Sequence, residues 1–71
     1  MSLVLFEKKI AKLGGPLREE DSDLTKRRKA IWMIMLIACR SVDALHFTNG
    51  AVKEHAFTLM LKAAARLEAG I

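Results

Sequence analysis

The feature that most constrains this chain is a run of ten consecutive apolar residues in its middle, from Ala30 to Cys39. A helix that is apolar on every side must be covered on every side. The run is only about half as long as the roughly 20 residues that a helix needs to cross a bilayer. Arg40 and Asp43 prevent any extension of it. The run therefore predicts a helix buried in protein, and we expect no membrane partner.

Apolar residues also recur every seven positions before, within and after this run. The row consists of Leu17, Leu24, Ile31, Ala38 and Leu45. A sustained seven-residue repeat is typical of helices that pack lengthwise, as in bundles and coiled coils. It predicts a second helix over about 22–47. Residues 14–22, which begin with Gly14, Gly15 and Pro16, are either a linker with an N-cap at Asp21 or Ser22 or the first turns of this helix.

Amphipathic patterns predict two further helices, over about 3–13 and about 51–69. Thr48 or Asn49 can cap the third helix, after a tight turn. The third helix has two apolar faces, one formed by Val52, Ala56, Leu59, Ala63 and Leu67, the other by Phe57, Met60, Leu61 and Ala64. No alternating stretch is long enough to indicate a strand. The predicted fold class is all-α, with 1–71 as a single helical domain.

The apolar content exceeds what three short helices can bury. It is 52% of the residues, the mean hydropathy is +0.19, and a domain of this size buries only about 60% of the surface of its unfolded chain. We expect helices two and three to form a helical hairpin that pairs into a homodimeric four-helix-type bundle, with helix one as an outer strap or swapped arm. The predicted oligomer interface consists of Ile31, Ile34, Met35, Ala38, Val42, Ala56, Phe57, Met60 and Ala64.

This pattern favours a small oligomerisation or protein-interaction module, whose partner is a second copy or another protein. The alternative is a small nucleic-acid-associated regulatory protein, because the net charge is +4 and clustered cations suffice to neutralise phosphates. The candidate phosphate-binding residues are Lys8, Lys12, Lys26, Arg27, Arg28 and Lys29. The same residues are also typical of a solvated helix surface, balanced by the acidic residues of 19–23.

Residues suited to catalysis or metal binding are sparse. Cys39, His46 and His55 are the only soft metal-ligand candidates, and their spacing matches no common ligand pair. Cys39 has no neighbouring base and lies within the apolar run, and so inert packing is the expected role of its thiol. We predict no enzymatic activity, no metal and no cofactor.

The first ten residues contain Glu7, Lys8 and Lys9 and no long apolar run, so the N-terminus lacks the pattern of a secretory signal. A single cysteine cannot form an internal disulfide. Both observations favour the reducing cytoplasm. Met1 and Ser2 are typical of a cloning leader and take no part in the functional argument.

Overall fold

A computed structural model describes residues 2–45 and 49–71, and these ranges form three α-helices without a strand. Helix α1 spans Ser2–Lys12, α2 spans Asp23–Asp43 and α3 spans Gly50–Ala69. The predicted all-α class is therefore confirmed. Helix two was expected to continue to about residue 47, but α2 ends at Asp43. Residues 46–48, which include the alternative cap Thr48, lie outside the described residues.

The two long helices begin at caps that the sequence predicts. The Oγ of Ser22 accepts a hydrogen bond from the N–H of Thr25 at 3.2 Å, and the Oδ1 of Asn49 accepts one from the N–H of Val52 at 2.9 Å. Each bond satisfies one of the free N–H groups in the first turn of a helix. Of the two candidate caps for helix two, Ser22 is the one that is used.

Residues 14–22 form a linker, so the alternative that they begin helix two is wrong. Gly14 and Gly15 have φ angles of 102° and 87°, in the left-handed region that only glycine adopts without strain. A buried lysine then fastens the linker to α2. The Nζ of Lys29 donates to Asp21 Oδ2 at 2.8 Å and to the carbonyl of Pro16 at 3.1 Å.

This contact and the N–H of Arg18, which donates to the same carboxylate, lower the pKa of Asp21. Lys29 itself is 1% exposed. A charged ammonium group is buried only when it has a partner of opposite charge. The Lys29–Asp21 pair is therefore what holds the linker, and with it the C-terminal end of α1, against the start of α2.

The three helices enclose one small core, and α1 forms one of its three sides. The buried apolar side chains are Phe6, Trp32, Leu36, Cys39, Phe57 and Ala64. Phe6 of α1 is fully buried, and its ring meets the edge of Trp32 with the ring centroids 5.7 Å apart. Within the single chain, helix one therefore contributes to the core, and its expected place as an outer strap or swapped arm of a dimer stays a prediction. Trp32 and Cys39, both from the apolar run, lie in this core.

Polar contacts between the helices show their relative directions. Glu7 in the middle of α1 contacts Arg40 near the end of α2 at 3.0 Å, whereas Lys29 in the first half of α2 contacts Pro16 just after α1, so these helices are antiparallel. Lys9 in the second half of α1 contacts Glu68 near the end of α3 at 3.1 Å, so α1 and α3 run in the same direction. The bundle measures 40 × 21 × 15 Å. In the described part of the chain, no helix has the length and hydropathy that crossing a membrane requires.

Candidate interaction surfaces

The apolar run in α2 is covered on only one side within a single chain. Trp32, Leu36 and Cys39 are buried, whereas Ile34 is 63% exposed and Ile37 is 59% exposed. The expectation that this helix is buried all round is thus not met by the three helices alone. A large apolar surface remains for something else to cover.

Ile37 lines a groove with Glu7 and Ile10 of α1, whereas the rest of this surface lies on the outer side of the α2–α3 hairpin, away from α1. In α3, Met60 faces α2, with its Sδ 3.2 Å from Cys39 Sγ, and Glu68 faces α1. Successive residues turn by about 100° around a helix axis, so Ala56 and Ala63 lie beyond Met60 on the side away from α1. The same geometry places Ile31 and Ala38 of α2 beyond Cys39, on the side away from α1.

We name this surface the hairpin face. It consists of Ile31, Ile34 and Ala38 of α2 together with Val52, Ala56, Leu59, Ala63 and Leu67 of α3. Val52, Leu59 and Leu67 are each 53% exposed. A shallow groove on the α3 side is lined by Leu59, Ala63 and Leu67 and bordered by Lys62 and Arg66.

The residues predicted as an oligomer interface are divided between the core and this face. Phe57 and Ala64 are buried inside the single chain, and Ile31, Met35, Val42 and Met60 are partly buried against that core. Ile31, Ile34, Ala38 and Ala56 belong to the hairpin face. Of the two apolar faces that the sequence predicts for helix three, the one with Phe57 and Ala64 faces the core of the single chain.

The cations predicted to bind phosphate do not form one cluster. Four consecutive helical residues point in four directions, because each turns by about 100° from the last. Lys29 is buried against Asp21 and is therefore unavailable to a phosphate. Arg28 lines a groove against α1 and α3, while Arg27 is exposed elsewhere and Lys26 is half-buried.

Two adjoining grooves lie along the junction of α1 and α3, and both contain Lys9. One, of about 370 Å³, is lined by Leu5, Lys8, Lys9, Lys12, Trp32 and Leu61. The other, of about 430 Å³, is lined by Lys9, Leu13, Arg28, Ala65, Glu68, Ala69 and Ile71. We name the four cations Lys8, Lys9, Lys12 and Arg28 the basic seam. The structure thus brings the predicted Lys8, Lys12 and Arg28 together and adds Lys9, which the prediction omitted.

Within the basic seam, Lys9 is the one cation engaged by a carboxylate of the described residues. It pairs with Glu68 at 3.1 Å, and its Nζ lies 5.5 Å from the centroid of a Trp32 ring. Lys8, Lys12 and Arg28 take part in none of the ion pairs among residues 2–45 and 49–71. The Nε of Arg28 is enclosed without a hydrogen-bond partner.

Two of the three candidate metal ligands are among the described residues, and they lie in different surroundings. His55 is exposed on α3, His46 lies outside the described residues, and Cys39 is buried. Burial raises the pKa of the Cys39 thiol, which disfavours the nucleophilic thiolate. Among the residues that the structure describes, no group of three or more His, Cys, Asp or Glu side chains is placed to hold a metal ion.

Comparisons with protein-family models, with curated proteins and with solved structures find no match to this chain. Its function is therefore argued from the two surfaces themselves, the hairpin face and the basic seam.

Proposed function

We propose that this chain is a small self-associating module, in which two copies pair through their hairpin faces. The observation that carries the proposal is the set of large apolar side chains on that face, Ile34, Val52, Leu59 and Leu67, each more than half exposed. Monomeric proteins rarely expose a large contiguous apolar patch without a binding role. The resulting assembly is a four-helix bundle made of two hairpins, with an α1 helix on the far side of each.

The size of the hairpin face suits such an interface. Helix α3 has 20 residues and is therefore about 30 Å long, since each residue rises about 1.5 Å. Two helices packed about 10 Å apart form a face about 20 Å wide, and so of about 600 Å². Two such faces together bury about 1,200 Å², at the lower end of the range of about 1,200–2,000 Å² for stable protein interfaces. The accessible surface of the chain is 4896 Å², against about 4400 Å² for a compact monomer of this mass.

The shape of the face also favours a helical partner. Small side chains, Ala38, Ala56 and Ala63, alternate with the large ones along both helices. Ridges of one helix pack into the grooves of another when small and large residues alternate in this way. A second copy supplies a matching surface, because a two-fold axis pairs the same patch with itself.

Cations flank the hairpin face on both helices. Lys62 and Arg66 border the α3 side of the face, and the exposed Arg27 lies on the α2 side, four residues before Ile31 and seven before Ile34. The proposed pairing therefore rests on apolar contact and not on charge. The proposed role is assembly, and no catalytic step belongs to it.

The experiment is light scattering on the full chain across a dilution series, with a matched pair of variants. Leu59→Lys places a charge on the hairpin face, and Leu17→Lys places one in the linker at a similar exposure, 49% instead of 53%. We expect a dimer with a Kd of about 1 µM or tighter. Leu59→Lys should weaken it by at least about 30-fold, because burying an unpaired charge costs more than about 2 kcal/mol.

Leu17→Lys should leave the dimer intact. Circular dichroism of the Leu59→Lys variant in dilute solution should retain the helical signal of the wild type. A wild-type chain that stays monomeric at high concentration would contradict the proposal and leave the hairpin face to another protein. A dimer that survives Leu59→Lys would contradict the assigned interface.

A further inference from the structure

We infer that the basic seam binds the phosphodiester backbone of nucleic acid. Four cations, Lys8, Lys9, Lys12 and Arg28, line two adjoining grooves that contain a single acidic side chain, Glu68, already paired with Lys9. Lys8, Lys12 and Arg28 take part in none of the ion pairs among the described residues, and such unpaired cations are what phosphate neutralisation requires.

The arrangement of the cations fits a chain of phosphates better than a single anion. Lys8 and Lys12 lie one helical turn apart on the same side of α1, and therefore about 6 Å apart along its axis. Arg28 extends the row across Lys9 to the end of the bundle at which α1 and α3 finish. Its Nε is enclosed, so the terminal nitrogens of the guanidinium are the donors left for a phosphate, and none of the ion pairs among the described residues engages them.

The distribution of apolar residues favours nucleic acid over an acidic protein as the ligand of the basic seam. A protein helix bound here would need apolar anchors, since exposed ion pairs contribute little affinity by themselves. Four large apolar side chains of the hairpin face are more than half exposed, whereas those of the seam's grooves, Leu5 and Ile71, are 49% and 41% exposed. Ala65 and Ala69 leave the second groove shallow, which admits a backbone without apolar insertion.

The same surface indicates binding without base recognition. Trp32 is the aromatic residue of the seam, and it is 5% exposed, so its ring cannot stack on an unpaired base. Recognition of bases in a groove of duplex DNA requires polar side chains that reach their edges, and the seam presents lysines and one arginine at the junction of two helices. We therefore expect backbone contacts that tolerate any sequence.

This inference is independent of the proposed self-association. The basic seam lies between α1 and α3, whereas the hairpin face lies on the other side of α3. A monomer would carry one seam and a dimer would carry two, both exposed. Pairing would then raise the apparent affinity for a long duplex, because the second seam binds at high effective concentration.

The test is fluorescence anisotropy of a labelled DNA duplex of mixed sequence, titrated with the full chain at several salt concentrations. Binding should weaken as salt rises from about 50 to 200 mM, with a slope of log K against log salt of about −2 to −4 for each seam. A single-stranded oligonucleotide of the same length should bind no more tightly than the duplex, because the seam has no exposed aromatic ring.

Two charge reversals with the same change in net charge form the matched pair. Lys8→Glu alters the seam, and Lys53→Glu alters the first turn of α3, away from the seam. The second change also removes the hydrogen bond that Lys53 Nζ donates to the Asp43 carbonyl at 2.7 Å, so circular dichroism should show the wild-type helical signal for both variants before they are compared. We expect Lys8→Glu to lower affinity about tenfold at low salt and to reduce the slope by about 1. Lys53→Glu should leave the slope unchanged, and light scattering should give both variants the wild-type mass.

Three outcomes would overturn the inference. One is the absence of binding at low salt, and another is equal weakening by the two variants, which would show a response to net charge alone. The third is displacement of the duplex by a polyglutamate peptide at matched charge, which would assign the seam to acidic proteins. Because Leu59→Lys tests the hairpin face separately, failure of one proposal leaves the other standing.

Discussion

The inner and outer faces of the α2–α3 hairpin are both apolar, but only the inner face is covered. Trp32 and Phe57 on the inner face are buried, whereas Ile34 and Leu59 on the outer face are more than half exposed. The same two helices therefore supply both a core and an unpartnered surface. Hydrophobic periodicity marks both faces equally, and what distinguishes them is the position of α1.

Burial of Phe6 against Trp32 is the main contact that holds α1 on the inner side. Glu7 of α1 also contacts Arg40 of α2, and Lys9 of α1 contacts Glu68 of α3. Exposed ion pairs contribute little by themselves, so these two contacts accompany the apolar packing.

The largest expected effect comes from breaking the inner face. Phe6→Ala should lower the free energy of unfolding by about 3–5 kcal/mol, because it leaves a cavity against Trp32. The neighbouring Leu5→Ala, at a residue 49% exposed, should change it by less than about 0.5 kcal/mol. Urea unfolding at one fixed protein concentration measures both. If both substitutions lowered the free energy of unfolding equally, α1 would not cover the inner face.

Two adjacent alanines in α3 test the same difference between the inner and outer faces, with a smaller expected change in stability. Ala64 is fully buried, and Ala63 lies on the hairpin face. Ala64→Leu should destabilise the fold by about 1–3 kcal/mol through overpacking, whereas Ala63→Leu should be tolerated by the single chain. Thermal unfolding of the two variants in dilute solution provides the measurement. A more damaging Ala63→Leu would reverse the assignment of inner and outer faces.

The linker that brings α1 to the inner face should be sensitive to acid. Contacts from Lys29 and from the N–H of Arg18 lower the pKa of Asp21 in the folded chain. Asp21 therefore stabilises the fold above its ordinary pKa of about 4 and loses this contribution as the pH falls through its lowered value. Asp21→Asn should remove that part of the acid sensitivity in urea unfolding between about pH 5 and 2.

Glu20→Gln is the control, since Glu20 is exposed and takes part in none of the ion pairs among the described residues. If both variants showed the wild-type pH dependence, the pair of Asp21 and Lys29 would not hold the linker.

Local features of the fold were predictable, while the choice between surfaces was not. Caps at Ser22 and Asn49 and the stop at Gly14 follow from chemistry within a few residues. Assigning Phe57 to the core and Leu59 to the surface requires knowing where α1 packs, which is a long-range contact. The burial of Lys29 could not be predicted from the sequence either, because it depends on the path of the linker that carries Asp21.

Helical geometry alone predicts that the basic residues 26–29 do not face one way. Residues 26–29 lie in one helix, and a turn of about 100° for each residue already prevents them from facing one way. By contrast, joining Arg28 to Lys8, Lys9 and Lys12 required the three-dimensional structure, because those residues come from α1. The groove that they share is a product of the parallel packing of α1 and α3.

Thiol reactivity offers the mildest test of the two faces, since it need not change stability. Cys39 belongs to the inner face, and burial raises the pKa of its thiol. If a reagent reaches it only through global unfolding, its labelling should be at least about a thousandfold slower than in denaturant. A cysteine placed at Ala63 in a Cys39→Ala background should react rapidly in dilute solution. Its labelling should then slow as protein concentration rises, because the second copy covers the hairpin face; rapid labelling at every concentration would mean that this face stays open.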